Sequence, residues 1–108
     1  MIYEERIYKI MPGRIPDILK RFTNHALPLF ERHGMKLVGF WTTSIGPSNH
    51  ELIYLMAYES LDERDRQWTA FAGDPDWVRA KAESEANGPL VVEVSNRILK
   101  PTTFSPMQ

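Results

Sequence analysis

Residues 51–59 read Glu-Leu-Ile-Tyr-Leu-Met-Ala-Tyr-Glu. Side chains alternate across a strand, so Ile53, Leu55 and Ala57 form one face and Leu52, Tyr54, Met56 and Tyr58 the other. Both faces are apolar. A strand with one face in water alternates apolar and polar residues cleanly, so this one needs cover on both sides. Residues 36–45 carry the same message, with Leu37, Trp41 and Ile45 set opposite Val38 and Phe40. Any fold for this chain must supply a layer above and a layer below these two segments.

The rest of the chain offers material for one layer. Residues 2–10 favour a strand through Ile2, Ile7, Tyr8 and Ile10, and Pro12-Gly13 ends it. Over 15–33 the period changes: Ile15, Ile18, Leu19, Phe22, Ala26, Leu29 and Phe30 recur at three- and four-residue spacing, as on an amphipathic helix. Pro16 suits its first turn, and Pro28 predicts a kink or a split-off last turn. Gly34 suits a left-handed cap after His33. Gly46-Pro47-Ser48-Asn49 is turn chemistry joining strands 36–45 and 51–59 into a hairpin. Ser60 with Glu63 is a capping box opening a helix through Leu61, Arg64, Trp68 and Phe71. Gly73-Asp74-Pro75 interrupts it, with Asp74 capping a second helical piece that carries Trp77, Val78, Ala80 and Ala82. Asn87-Gly88-Pro89 stops that piece, and 90–99 is a last strand. The order β-α-β-β-α-β is the split βαβ pattern of the ferredoxin-like fold: α+β, with a four-stranded antiparallel sheet and helices on one face. Residues 1–100 form the domain, and 101–108 a tail belonging to it.

Those helices cover one sheet face and leave the other bare. A second copy stacking sheet on sheet is the symmetric remedy, so the reading predicts a homodimer built as a dimeric α+β barrel. The aliphatic registers, such as Leu90, Val92, Val94 and Ile98, are expected under the helices. The mixed ones, such as Val91, Glu93, Ser95, Arg97 and Leu99, are expected at the partner. A partly polar, aromatic cavity is predicted there, lined by Arg6, Tyr8, Trp41, Tyr54, Tyr58, Glu93 and Arg97.

Composition removes several classes of function. Net charge is −1, which leaves no basic footprint for nucleic acid. No apolar stretch is long enough to span a bilayer. Met1 to Ile10 carries Glu4, Glu5, Arg6 and Lys9, unlike a signal or transit peptide, so a cytoplasmic location is expected. With no cysteine there is no disulfide, thiolate nucleophile or iron–sulfur ligation. The histidines, His25, His33 and His50, form no ligand-spaced pair, so neither a metal nor a cofactor is predicted. Nothing resembles a nucleophile elbow or a glycine-rich phosphate loop. Trp68 and Trp77 read as core, Trp41 as more open beside Gly39, and Arg64 and Arg66 as a solvated helix face.

Taken together, several stretches resemble the NIPSNAP family. They are Arg6-Ile7-Tyr8 before Pro12-Gly13, His33-Gly34 leading to Gly39-Phe40-Trp41, and Gly46, Asn49 and Glu51-Leu52-Ile53-Tyr54. They continue through Arg66-Gln67-Trp68, Phe71, Asp74-Pro75-Asp76-Trp77, Ile98-Leu99 and Thr103-Phe104-Ser105-Pro106. The resemblance runs along nearly the whole chain. It implies the dimeric α+β barrel and no particular reaction, because the family has no settled biochemical activity.

Three functions compete. One is a homodimeric module holding a small apolar or aromatic ligand. Another is a cofactor-independent enzyme, monooxygenase- or isomerase-like, in the same cavity, with Tyr54 or Tyr58 and Glu93 or His50 as a conceivable proton-transfer pair. A haem-degrading version is disfavoured, since strand 2–10 has no Asn and 60–72 no His. The third is a protein-interaction scaffold. The tail, with Phe104 between Pro101 and Pro106, reads as an arm docking on a partner subunit or making a further oligomer contact.

Overall fold

A computed structural model describes residues 1–108. Its four strands are β1 (Ile2–Ile10), β2 (Lys36–Thr42), β3 (Glu51–Tyr58) and β4 (Val91–Leu99). They lie in the order β2-β3-β1-β4, every neighbour antiparallel. Helices α1 (Ile15–Arg21) and α2 (Leu27–Arg32) follow β1, joined by a π-helical turn over Phe22–Ala26. Helices α3 (Leu61–Gly73) and α4 (Pro75–Ser84) follow β3. This is the ferredoxin-like α+β fold that the order of periods predicts. The molecule is a slab of 46 × 36 × 19 Å, thick enough for one sheet and one helical layer. No helix is long and apolar enough to cross a membrane.

The local signals work as chemistry requires. The Ser60 hydroxyl accepts from the Glu63 amide at 3.1 Å and caps α3. Asp74 caps α4 through the Asp76 amide at 2.9 Å, with Pro75 in its first turn. Gly34 takes φ +69°, ending α2 in the left-handed region. Pro28 disturbs the first helix as expected, one turn earlier than its own position. It has no N–H to give the Asn24 carbonyl, and its ring crowds that carbonyl. The chain relaxes by widening over Phe22–Ala26, where the Leu27 amide reaches five residues back to the Phe22 carbonyl.

Two features depart from the sequence reading. Strand β2 stops at Thr42 rather than residue 45, because the loop begins well before Gly46. Thr43 Oγ1 donates to the Glu51 carboxylate at 3.2 Å, and Ile45 stands 97% exposed at the loop tip. The second departure is register. Leu37 pairs with Met56 and Gly39 with Leu55, so Val38 is an extra residue in β2. Glu93 pairs with Lys9 and Val91 with Ile10, so Val92 is an extra residue in β4. Each insertion exchanges faces, because side-chain alternation has a period of two. Leu37 therefore parts from Trp41 and lies on the helix side, and Val91 packs on the core instead of facing away.

The helices cover the aromatic face of β3, not the aliphatic one. Leu52, Tyr54, Met56 and Tyr58 are all at most 2% exposed, and they join Ile10, Ile18, Phe22, Phe30 and Phe71 in the core. The sequence reading had these faces reversed. Tyr54 and Tyr58 carry hydroxyls, and burying those requires partners that only the helix side provides. The opposite face presents Ile7, Ile53 and Trp41, crossed by exposed Arg97–Glu5 and Lys9–Glu93 pairs at 3.0 and 3.7 Å. At one end the tail folds back on it: the Tyr3 hydroxyl donates to the Gln108 carbonyl at 2.7 Å, while Phe104 projects 85% exposed.

Candidate functional site

Alternate residues of β1 on the helix side are Glu4, Arg6 and Tyr8, a carboxylate, a guanidinium and a phenol in one row. The Glu4 side chain is fully buried. A lone buried carboxylate is costly, so its donors matter. Arg64 on α3 grips both oxygens, Nε to Oε1 at 3.1 Å and Nη2 to Oε2 at 2.8 Å. Tyr58 donates to Oε1 at 2.8 Å, Asn96 to Oε2 at 2.7 Å, and Arg6 Nη1 approaches Oε2 at 3.3 Å. Burial alone would push this carboxyl up. The hydrogen bonds from Arg64, Asn96 and Tyr58, with the Arg6 charge, outweigh it and hold Glu4 down at about 2. Tyr58 in turn accepts from Trp68 Nε1 at 2.7 Å.

Arg6 carries the network toward the solvent side. Its Nε donates to the Tyr54 hydroxyl at 2.8 Å, which donates to the Tyr8 hydroxyl at 2.9 Å. Its guanidinium carbon lies 4.3 Å from the Trp68 ring centroid. Burial opposes the Arg6 charge, but the oxygens of Tyr54, Tyr8 and Glu4 more than offset it, so its pKa stands above the ordinary arginine value. Burial pushes the Tyr54 and Tyr58 hydroxyls up, so both stay protonated at neutral pH. Arg6 is a fixed cation with its nitrogens engaged, and Tyr8 is the end of the relay.

Arg6 and Tyr8 open onto a cleft of about 420 Å³ between the sheet and the helices. Its floor is β4, where Val92 and Val94 are 60% and 45% exposed because no helix lies over them. Its back wall is aromatic. Phe71 sits 4.7 Å from both Phe30 and Trp77 by ring centroids and 5.6 Å from Trp68. Phe22 and Ala26, on the π-helical turn, complete it. The volume suits a small organic molecule, and the interlocked rings hold the walls in place without one.

The predicted cavity residues thus divide. Arg6, Tyr8, Tyr54 and Tyr58 meet in one network under the helices. Trp41 and Arg97 lie on the far face and cannot join them. Glu93 lines the cleft mouth while its carboxylate faces Lys9. Arg97 and Glu93 have side chains 66% and 61% exposed, so they make solvent-facing surface pairs in this chain. The space beside Gly39 is taken by the chain itself, since a Cβ there would sit 2.7 Å from the Trp41 ring. Trp68 and Trp77 pack on the core as predicted and also line the cleft. Arg64 is not a solvated charge, because it carries Glu4. His33 sits at the end of α2 and meets Asp74 at 2.8 Å. The sequence reading missed Glu4, Asn96 and Arg21. For Glu4 a signal existed: three polar side chains in one strand register, beside a strand with no polar face of its own.

Comparison with known proteins agrees with this architecture. The NIPSNAP family model matches residues 3–106. A crystal structure of a NIPSNAP family protein from Agrobacterium tumefaciens superposes with a TM-score of 0.88 at 33% identity, covering 99% of this chain and 98% of that one. The NipSnap homolog of Dictyostelium discoideum is 29% identical over 99% of this chain, which spans only 40% of that relative's length. A Nitrosomonas europaea protein, whose name proposes an antibiotic biosynthesis monooxygenase, shares the fold alone. Its TM-score is 0.63 at 8% identity, over 94% of this chain and 98% of that one.

Proposed function

The chain belongs to the NIPSNAP family, and on that footing we propose that it is a homodimeric binding protein for a small, flat, apolar or aromatic molecule. The ligand lies in the cleft between the sheet and the helices, and the protein acts in the cytoplasm. The observation that carries this reading is the uncovered floor of Val92 and Val94 facing a wall of Phe30, Phe71 and Trp77. A monomer with no use for the cleft would gain stability by covering it. Tyr8, at the end of the relay, adds a polar point that orients a ligand over the floor.

Dimerisation is a separate part of the proposal. It rests on the far face of the sheet, where Ile7, Ile53, Leu55 and Trp41 have no second layer in a slab 19 Å thick. Stacking two such faces leaves both clefts open, since they lie on the outer, helical sides. The cavity predicted between the sheets therefore moves to the other side of each sheet.

A second reading is a cofactor-independent enzyme in the same cleft. It is favoured by the Arg6–Tyr54–Tyr8 relay, which places a phenolic hydroxyl where it can hand a proton to a bound substrate.

Native mass spectrometry of the purified protein tests the proposal. A dimer of two 12.5 kDa chains carrying a few hundred extra daltons, about the mass a small cleft holds, is the expected result. A monomer refutes the sheet pairing. A dimer that arrives empty and takes up no aromatic probe leaves the surface as the functional part, and with it a scaffold.

A further inference from the structure

The cleft contains a cation that the network around Glu4 does not use. Arg21, at the end of α1, has a side chain only 5% exposed. Its Nη1 donates to Ser84 Oγ at 3.3 Å and to Glu85 Oε1 at 3.2 Å. Its Nε is buried with no hydrogen-bond partner. Unpaired buried donors are rare in folded chains, and one on a guanidinium at a cleft wall marks a place where an acceptor is missing. The guanidinium carbon lies 5.5 Å from the Trp77 ring centroid, so the charge adjoins the aromatic wall directly.

The surrounding charges have the sign an anion needs. The cleft is lined by Arg6, Arg21 and Lys81 against Glu85 and Glu93. Glu93 is shared with Lys9 outside it. Glu4 is shared between Arg6 and Arg64, with Asp65 a second partner of Arg64 at 2.9 Å, so Arg6 has only part of one carboxylate. Lys81 stands one helical turn before Glu85, on the same side of α4. Glu85 engages a single nitrogen of Arg21, and the Nε on the other edge of the fork has no partner.

We infer that the ligand is an organic anion, an aromatic or apolar body ending in a carboxylate, with the carboxylate on Arg21 and Lys81 and the body between Val92, Val94 and Trp77. Arg6 is excluded as the anchor because its nitrogens already serve Glu4, Tyr54 and Tyr8. A carboxylate fits Arg21 because a guanidinium edge offers parallel donors at its spacing. The inference rests on the cleft reading above and narrows it to one class of ligand.

The test compares two probes of one shape, 2-naphthoate and 2-naphthalenemethanol, by calorimetric titration of the full chain. The wild-type protein is expected to bind naphthoate about tenfold more tightly or better, with the margin shrinking as salt rises. Arg21→Met abolishes that margin and leaves binding of the alcohol unchanged. Lys81→Met, at an exposed position where folding is not at risk, reduces naphthoate affinity by about threefold and spares the alcohol. Equal affinity for the two probes in the wild-type protein overturns the carboxylate site while keeping the cleft. Loss of both probes in equal measure in Lys81→Met does the same. Binding of neither probe overturns the cleft as a ligand site, and this inference with it.

Discussion

Replacing Glu4 with Gln keeps the shape of the side chain and removes its charge. Four side chains donate to the Glu4 carboxylate, from Arg64, Tyr58, Asn96 and Arg6, and of these Arg6 alone has a second strong buried acceptor, the Tyr54 hydroxyl. The amide offers one oxygen and points an N–H₂ at groups that are themselves donors. Removing one partner of a buried ion pair costs about 3–5 kcal/mol. Arg64 keeps a side chain 22% exposed and can turn toward water, so the lower end applies. The pKa leads to the same figure. The gap between about 2 in the folded chain and the ordinary 4.5, at roughly 1.4 kcal/mol per pH unit, is worth about 3 kcal/mol. Because the folded value is the lower one, that stability is fully present above 4.5 and is lost as pH falls toward 2. Urea denaturation of wild type and Glu4→Gln at a series of pH values is the assay. The expected difference is about 3 kcal/mol at pH 7, seen thermally as a Tm drop of roughly 12 °C or more, closing as the pH approaches 2. A difference that stays constant from pH 7 to pH 2 would refute the account, since it would mean that shape and not charge holds the site together.

The remaining predictions concern the far side of the sheet. Trp41→Lys puts a charge on the face proposed to stack, beside Ile53, and size-exclusion chromatography should show a monomer whose far-UV circular dichroism is unchanged. Deleting residues 101–108 removes the Gln108 carbonyl from Tyr3 and uncovers its ring. The expected loss is on the order of 1 kcal/mol, read as a fall of roughly 4–8 °C in Tm, and an unchanged Tm would show that the tail does not hold this end of the sheet.

Element types could be read from the sequence because each rests on neighbours along the chain. Ser60 with Glu63, Asp74 with Pro75, and His33 with Gly34 are local devices, and each stands where the reading put it. The insertions at Val38 and Val92 were invisible because they are decisions between strands: the residue looks ordinary until its opposite number is known. They decide which side chains meet, which is why Leu37 and Val91 were assigned to the wrong face. The covered face of β3 was misread for a related reason. Hydrophobicity alone puts aliphatic residues under the helices, but phenols go where their hydroxyls find donors and acceptors, and those come from Glu4, Arg6 and Trp68. Pro28 announces a disturbance, and only its placement over Phe22–Ala26 depends on how the rest of the helix packs. Arg21 carried no signal at all, because an arginine ending an amphipathic helix is ordinary until α4 closes over it.

The links that meet at Glu4 also bear on the order in which the chain assembles. Tyr58, Arg64 and Asn96 lie 54, 60 and 92 positions away along the sequence. Closing such long loops costs entropy before any contact repays it, so pairs of this kind form late. The carboxylate can be satisfied only after β4 has docked beside β1 and α3 has come down on the sheet. Contacts absent from the folding transition state stabilise by slowing escape from the native state, not by hastening arrival. The buried glutamate thus works as a latch on the finished molecule. It sets how long a folded copy persists, and with it how long the cleft stays open.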